Sequence, residues 1–191
     1  VKGNITVKER ANSAFDSLDI AETGSTSASI RQGSDENITV VVNNTGSTAG
    51  AVAIALDIGN GEVQRTERLN ASQFPAGASA ELTFGSVTTG LSANPTPGQE
   101  ADYDVTVSTA DDNINGQLSV FNPAESELND IDVVGDGTEG ETKRNVADTL
   151  DFVGINAQNI GDRAANFTVD LRIDNATGTV IEKNRSTSNL T

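Results

Sequence analysis

The sequence predicts an all-β fold of tandem antiparallel β-sandwiches, and three observations support this prediction. Apolar residues alternate with polar residues at a period of two, and glycine, asparagine and proline turn signals separate the short apolar runs. The same order of features recurs after 113 to 115 residues. No amphipathic stretch of convincing helical length interrupts this pattern.

The alternation is clearest in residues 37–56, where two apolar runs flank a polar connection that contains two glycines. The runs are Ile38/Val40/Val42 and Val52/Ile54/Leu56. Successive side chains of a strand point to opposite faces, so each run supplies one core-facing row. Valine, isoleucine and threonine dominate these stretches, and they favour strands over helices. We therefore expect two neighbouring strands here.

Seven short strands are expected between residues 13 and 121. They are Phe15–Ile20, Ile38–Asn43, Val52–Ile58, Glu62–Leu69, Ala80–Phe84, Tyr103–Val107 and Leu118–Val120. Asn60-Gly61 suits the left-handed conformations of a hairpin turn, and a second turn is expected at residues 74–77. Strands of this length and spacing predict a two-sheet antiparallel sandwich.

The pattern then begins again near residue 122. At an offset of 113 the matched pairs are Gly3/Gly116, Ile5/Leu118, Val7/Val120, Phe15/Leu128, Leu18/Ile131 and Ile20/Val133. At an offset of 115, Asn44-Thr45-Gly46 reappears as Asn159-Ile160-Gly161, and Val52/Ile54/Leu56 reappears as Phe167/Val169/Leu171. A surface loop can gain two residues in this way. Several matches in one order predict tandem repeats.

The repeat divides the chain into three parts. Residues 1–12 are expected to form the last strand of a preceding repeat or a strand donated to another subunit, and residues 13–121 a complete sandwich. Residues 122–191 are expected to form the first half of a second repeat, with strands at Leu150–Ile155, Phe167–Ile173 and Val180–Glu182. A half sandwich leaves its inner face uncovered. Either the polypeptide continues, which we favour, or another subunit supplies the missing strands.

The charge of the chain restricts its partners and its environment. It has 28 acidic and 12 basic residues, no histidine and only four lysines. A chain with this much negative charge repels nucleic-acid phosphates and anionic lipids. No apolar run approaches the roughly 20 residues that a membrane span needs. We therefore expect no nucleic-acid partner and no direct membrane insertion. Acidic excess, scarce lysine and absent cysteine together indicate a protein of a halophilic archaeon, where concentrated salt screens self-repulsion.

No catalytic constellation can be recognised in the sequence. Serine catalysis needs a base, and histidine is absent, while the absence of cysteine excludes disulfides and thiolate chemistry. The acidic pairs Asp102/Asp104 and Asp111/Asp112 lack calcium-loop spacing and are interpreted as solvated surface. Two carboxylates can cleave a glycoside, but one tyrosine and no tryptophan make a poor sugar platform. We predict no metal, no cofactor and no enzyme activity.

Eight Asn-X-Ser/Thr sequences are candidate sites of N-glycosylation. They are Asn4, Asn37, Asn43, Asn70, Asn166, Asn175, Asn184 and Asn189. Such sites lie on the surface of exported proteins, because the hydroxyl at the third position helps the transferase to engage the amide. A chain rich in threonine, serine and asparagine produces some of these sequences by chance. Eight nevertheless predicts that N-linked glycans are attached.

Tyr103 is the only tyrosine, and it stands at the start of the penultimate strand, after a Pro-Gly turn. This is the position of the tyrosine corner of immunoglobulin-like sandwiches, whose hydroxyl bonds the backbone upstream. Residues 37–56, with Asn-Asn-Thr-Gly between the apolar runs, and residues 97–107 resemble CARDB-like and related immunoglobulin-like repeats. The resemblance covers residues 15–120 and, less well, 126–182.

The resemblance implies the setting of archaeal surface glycoproteins, filaments and large extracellular proteins. We therefore expect an extracellular structural protein of a halophilic archaeon that associates with copies of the same repeat in a pilus-like filament, stalk or surface layer. Two alternatives stay open. One is an adhesin or ligand-binding accessory module of a larger secreted protein, and the other is a halovirus spike or fibre.

Overall fold

The computed structural model describes residues 5–133, 153–175, 178–187 and 190. These residues form β-strands, turns and irregular segments and contain no helix, so the predicted all-β class is confirmed. The chain divides into two compact units. Unit 1 comprises Val1–Asn94 and Glu100–Phe121, and unit 2 comprises Pro95–Gln99 and Asn122–Thr191.

Unit 1 is a sandwich of two sheets. Its strands are β1 (Ser13–Ile20), β2 (Ser27–Arg31), β3 (Ile38–Asn44), β4 (Val52–Ile58), β5 (Val63–Leu69), β6 (Ser79–Phe84), β7 (Ala101–Ser108) and β8 (Asn113–Phe121). One sheet has the order β1-β3-β6 and the other β2-β8-β7-β4-β5. Every pairing is antiparallel except that of β2 with β8, which is parallel.

The core of unit 1 is mainly aliphatic, with Phe74 and Phe84 among its buried residues, and it follows the predicted alternation. Ile38, Val40 and Val42 of β3 are each 0% exposed, and the inward positions of β4 are similarly buried. Each side chain of this size stabilises the fold by about 1.5 to 3 kcal/mol when it is fully buried. The sequence therefore specifies this pair of strands directly.

Two elements of unit 1 differ from the expectation. Strand β2 was not expected, because Ile30 is its only buried side chain and the alternate apolar position is the small Ala28, so that five residues give little periodic signal. The strand expected within residues 1–12 is absent over residues 5–12, which are the described part, and Ile5 and Val7 are 89% and 87% exposed. No strand of unit 1 pairs with these residues.

Strand β5 is an edge strand that carries charge on its inward side. Arg65 and Glu67 stand opposite the buried Leu56 and Ile54, yet both are exposed. Charged side chains at the inward positions of an edge strand oppose further strand pairing. This side of the sandwich is thus protected against edge-to-edge association.

Unit 2 contains two separate antiparallel pairs. Strand β9 (Ser126–Val133) pairs with β10 (Val153–Asn159), and β11 (Thr168–Asn175) pairs with β12 (Gly178–Ser186). The first three residues of the strand expected at Leu150–Ile155 lie outside the described residues. The hydrophobic side chains of unit 2 that the structure describes are half-buried or exposed, unlike their counterparts in unit 1.

The pairing of β9 with β10 has the same register as the pairing of β1 with β3. Ser13 stands opposite Asn44, and Ser126 stands opposite Asn159. Both first strands carry a one-residue bulge at the same place, Asp16 in β1 and Asn129 in β9. A β-bulge adds one residue to one strand and so changes the register of every residue pair that follows it. The two strand pairs therefore have the same register both before and after the bulge.

Candidate functional site

Asn44, at the end of β3, is a buried polar residue whose side chain makes five hydrogen bonds. It is 1% exposed, and its Nδ2 donates to the carbonyl oxygens of Thr48 at 3.0 Å, Phe74 at 3.0 Å and Pro75 at 3.1 Å. A buried amide is tolerated only when its donors and acceptor are satisfied. Asn44 therefore ties two separate stretches of backbone, at Thr48 and at Phe74–Pro75, to the end of one strand.

The Oδ1 atom of Asn44 holds the segment that leads into β1. It accepts the backbone N–H of Asn12 at 3.2 Å and that of Gly46 at 3.0 Å. Gly46 has to be glycine, since a Cβ atom there would collide with the carbonyl oxygen of Arg10. We call residues 9–12 the lead-in segment of unit 1, and Asn44 with Gly46 its asparagine junction.

Unit 2 has an asparagine junction of the same construction. Asn159 Nδ2 donates to the carbonyl oxygens of Arg163 at 2.7 Å and Leu190 at 3.1 Å. Its Oδ1 accepts the N–H of Gly161 at 3.0 Å and that of Glu125 at 3.2 Å. Residues 122–125 are thus the lead-in segment of unit 2.

The two lead-in segments are held in further corresponding ways. A Cβ atom at Gly161 would collide with the carbonyl oxygen of Pro123, as one at Gly46 would with Arg10. Asp162 Oδ2 accepts the N–H of Asn122 at 2.5 Å. In unit 1 the corresponding contact is the Ser47 hydroxyl, which donates to the carbonyl oxygen of Glu9 at 3.1 Å.

Asp111, in the turn between β7 and β8, clips the lead-in segment of unit 1 from the other side. Its Oδ2 accepts the backbone N–H and the hydroxyl of Ser13, both at 3.1 Å, and its Oδ1 accepts from Arg10 Nη2 at 2.6 Å. The Ser13 N–H holds the pKa of Asp111 below its ordinary value, helped by the Ser13 hydroxyl and the Arg10 charge and opposed by partial burial.

The interpretation as solvated surface is wrong for Asp111, whose side chain is 11% exposed, whereas Asp112 is exposed as expected. Asp112 Oδ2 accepts the N–H of Phe15 at 2.8 Å, so both carboxylates bind the beginning of β1. A carboxylate with a lowered pKa is a weak base, and next to the Ser13 hydroxyl it acts as an acceptor that holds backbone. A cavity of about 170 Å³ beside the clip is lined by Arg10, Asp111, Ser13, Phe74 and small apolar side chains.

Tyr103 makes the predicted backbone bond. Its hydroxyl donates to the carbonyl oxygen of Ser92 at 2.7 Å and accepts the Ser92 N–H at 3.3 Å. The tyrosine corner expected from the position of Tyr103 is confirmed. The predicted turn at Asn60 is also confirmed, since this residue has a φ of 56° between two glycines of positive φ.

The structure places six of the eight candidate glycosylation sites within the described residues. Asn4 and Asn189 lie outside them. Asn70, Asn166 and Asn184 are exposed, Asn37 and Asn43 are half-buried, and Asn175 ends β11. Asn37 is further engaged, because its Nδ2 donates to Glu22 and its Oδ1 accepts the N–H of Ser86. These residues are spread over both units and do not form one cluster.

Asn70 has the geometry best suited to a modified residue. Its Oδ1 accepts the Ser72 hydroxyl at 2.6 Å and the Ser72 N–H at 3.0 Å, which folds the tripeptide into an Asx turn. The acceptor amide and the hydroxyl two residues later are thus already together on an exposed loop.

The described residues contain no group of three or more aspartates and glutamates placed to hold a metal ion. Asp102, one of the acidic candidates, accepts the Ser119 hydroxyl at 2.5 Å. Within the described part of the chain, no helix has the length and hydrophobicity of a membrane span.

Comparison with known proteins gave matches among solved structures only. No family model matches the sequence, and no curated protein matches it. The chain is similar to a β-glucosidase from Listeria innocua in complex with isofagomine, with a TM-score of 0.40 and 15% identity. It is also similar to that β-glucosidase in complex with glucose, with a TM-score of 0.38 and 16% identity. Each match covers 59% of this chain and 16% of the enzyme.

These matches correct the prediction that the protein is not an enzyme. The two named structures are of a β-glucosidase, so the exclusion of enzyme activity that we drew from composition does not stand. The chain spans about a sixth of those enzymes, and likeness at this level carries no argument about an active site in this chain.

The asparagine junctions were missed as sites by the sequence reasoning, although their residues were noticed as part of the repeat. A detectable signal was present, namely an Asn-X-Gly sequence directly after an apolar strand, found again 115 residues later. Only the structure reveals the carbonyl partners, because Phe74 and Pro75 follow Asn44 by 30 and 31 residues.

Proposed function

We propose that this chain is part of a repeat-built, extracellular structural protein of a halophilic archaeon, in which immunoglobulin-like sandwiches follow one another in a surface filament, stalk or surface layer. The observation that carries the proposal is the shared register of β1–β3 and β9–β10, bulge included. Two unrelated strand pairs have no reason to share a bulge position and an asparagine junction at matching residues.

The topology of unit 1 supports the immunoglobulin-like assignment. Its first segment is divided between the two sheets, β1 pairing with β3 and β2 lying parallel to β8. The tyrosine corner at Tyr103 is a feature of such sandwiches. Unit 2 reproduces the strands that correspond to β1, β3, β4 and β5 in the same chain order.

The lead-in segments suit a load-bearing role. In each unit the chain that precedes the first strand is bonded to the asparagine junction and crosses a glycine that leaves no space for a side chain. Loose connections between domains are usually flexible and polar. A connection fixed to its own unit limits the freedom of the chain at that point, as a structural array requires.

The surface chemistry supports an exposed, salt-rich setting. A net charge of −16 with four lysines suits screening by concentrated salt. Exposed sequons, with Asn70 as the best placed, suit N-linked glycans. Neighbouring copies of the same repeat are the proposed partners, without nucleic acid or direct membrane insertion.

The intact mass of the native polypeptide tests this proposal. We expect a mass far above 19.8 kDa that grows by whole repeats of 113 to 115 residues, with additional sugar increments. Gold-labelled antibodies against unit 1 should then mark cell-surface polymers in electron micrographs. A bare 19.8 kDa protein found only inside cells contradicts the proposal.

A further inference from the structure

The Asn-X-Ser/Thr sequences differ in the local structure that surrounds them. Five of the eight have all three residues within the described part of the chain, namely those that begin at Asn37, Asn43, Asn70, Asn166 and Asn184. In four of these five, at least one residue belongs to strand β3, β11 or β12. Among the five, only residues 70–72 lie entirely outside a strand, in the turn that follows β5.

The strand positions keep the acceptor amide away from the hydroxyl of the same sequence. Residues i and i+2 of a strand are about 6 to 7 Å apart along the chain, too far for their side chains to bond closely. The hydroxyls are also used elsewhere. That of Thr39 bonds a threonine of β6 at 3.0 Å, and that of Thr45 donates to a carbonyl oxygen of the lead-in segment at 3.2 Å. The hydroxyls of Thr168 and Ser186 bond each other at 3.4 Å.

The turn at Asn70 brings amide and hydroxyl together. Asn70 Oδ1 accepts the Ser72 hydroxyl at 2.6 Å and the N–H groups of Ser72 and Gln73 at 3.0 Å and 3.1 Å. Within the described residues Asn70 Nδ2 has no hydrogen-bond partner, and Asn70 is exposed. By contrast, Asn37 Nδ2 donates to Glu22 at 3.2 Å. The nitrogen that carries an N-linked glycan is therefore accessible at Asn70 and engaged at Asn37.

The turn is held at both ends by buried side chains. Leu69 and Phe74 are 6% and 1% exposed. The carbonyl oxygen of Phe74 accepts Asn44 Nδ2 at 3.0 Å and the N–H of Gly50 at 3.3 Å. The N–H of Phe74 in turn donates to the carbonyl oxygen of Asn70 at 3.1 Å. An enzyme that needs this turn meets it already formed, so it does not have to supply the free energy of ordering the loop.

We propose that Asn70 carries an N-linked glycan, and that the preformed turn selects it over Asn37 and Asn43 in the folded chain. This rests on the glycans of the proposed function and adds which residue is used and why. Asn70 Nδ2 forms a bond to the anomeric carbon of a glycan that is activated there as a phosphate ester. The bond from that carbon to the phosphate oxygen breaks, the phosphate leaves with the electron pair, and the nitrogen loses one proton to a base of the transferase. Asn37 and Asn43 stay unmodified, because β3 would have to unpair before either sequence could form such a turn.

Mass spectrometry of tryptic peptides from the protein made in its own cells tests the proposal. Cleavage after arginine and lysine places Asn37 and Asn43 in the peptide 32–65, and Asn70 in the peptide 69–143. Asn70 begins the only Asn-X-Ser/Thr sequence of its peptide in which X is not proline. We expect sugar increments on the peptide 69–143 and the unmodified mass for the peptide 32–65.

Variants of the full chain identify the atoms involved. Asn70→Gln and Ser72→Ala should each abolish the sugar increment on the peptide 69–143. Ser72→Thr should retain it, since threonine supplies the same hydroxyl. Circular dichroism verifies that each variant is folded.

Gln64→Asn is the matched control for exposure. It creates an Asn-Arg-Thr sequence at residues 64–66, whose side chains are exposed but lie within strand β5. We expect this new sequence to stay unmodified, because the strand holds it extended.

The outcomes separate this inference from the proposed function. Modification of Gln64→Asn, or equal modification of the peptides 32–65 and 69–143, overturns the selection by the turn. A sugar increment that persists in Asn70→Gln overturns the assignment to Asn70. A bare peptide 69–143 in a protein whose native mass rises in repeat steps overturns this inference alone. A bare protein of 19.8 kDa found only inside cells overturns the proposed function as well.

Discussion

Unit 1 and unit 2 share a register and an asparagine junction but differ in how well their interiors are covered. Val40 and Leu56 are 0% and 1% exposed, whereas Ile155 and Leu171, at the corresponding positions, are half-buried. The β1–β3 pairing and its junction therefore do not need a sealed core in order to form. They are set locally, by main-chain bonds between two strands and by one side-chain amide.

The strands β6, β7 and β8 account for the difference in burial. They complete the two sheets of unit 1, and the described part of unit 2 has no equivalent of them. Because apolar burial is the main favourable term in folding, unit 2 should be much the less stable of the two as an isolated chain. Substitutions at matched positions in the two units measure this difference in stability.

Replacing the core leucines with alanine should give the largest difference in stability loss between unit 1 and unit 2. Leu56→Ala leaves a cavity in a sealed core and should destabilise unit 1 by about 3 kcal/mol, within the usual range for such changes. Leu171→Ala removes a side chain that is already half-buried and should cost about 1 kcal/mol. Hydrogen exchange of β4 and β11 peptides reports the two units separately. Thr66→Ala, at an exposed position of β5, is the control. Equal losses at the two leucines would show that unit 2 has a sealed core after all.

Replacing the asparagine of each junction should give the second largest difference in stability loss between the two units. Asn44→Ala leaves buried carbonyl and N–H groups without partners and should destabilise unit 1 by about 2 to 3 kcal/mol. Asn159→Ala should cost about 1 kcal/mol, since Asn159 is half-buried and water can replace part of its bonding. Thermal unfolding and exchange of the lead-in amides measure both. Asn43→Ala, one residue earlier on β3, should change stability by less than about 0.5 kcal/mol. If Asn43→Ala destabilised unit 1 as much as Asn44→Ala, the hydrogen bonds of the asparagine junction would make no special contribution to stability.

Periodicity predicts those strands whose inward residues are all apolar. Strands β3 and β4 were located to within a residue, because three or four inward side chains of each are buried in the core. Strand β2 escaped notice, since its position depends on pairing with β8, about 90 residues later, as in the pair Ser27 and Gln117. Two apolar positions, one of them an alanine, are too few to predict a strand whose partner is so distant in sequence.

The candidate site was less predictable for a related reason. Tyr103 could be assigned because its partner Ser92 lies only 11 residues upstream, in a turn that the sequence marks. Asp111 was misread because Ser13, its main partner, is 98 residues away, and an acidic turn in an acidic protein has no distinguishing composition. Contacts that close a fold over such separations are determined by topology, which composition does not encode.

The smallest predicted effect is a loss of stability at low pH, and it depends on the contacts of Asp111 in unit 1. The pKa of Asp111 is lowered in the folded state, so its contribution to stability is present above its ordinary pKa of 3.8 and is lost as the pH falls below that value. We expect unit 1 to lose more stability between about pH 5 and pH 3 than the variant Asp111→Asn does, because the amide cannot titrate. Thermal unfolding of both proteins at the two pH values measures the difference. Asp104→Asn, on an exposed position of β7, removes a carboxylate without a clip and should preserve the acid sensitivity of the unaltered chain. An identical loss in Asp111→Asn would mean that the titration of Asp111 makes no measurable contribution to the stability of unit 1.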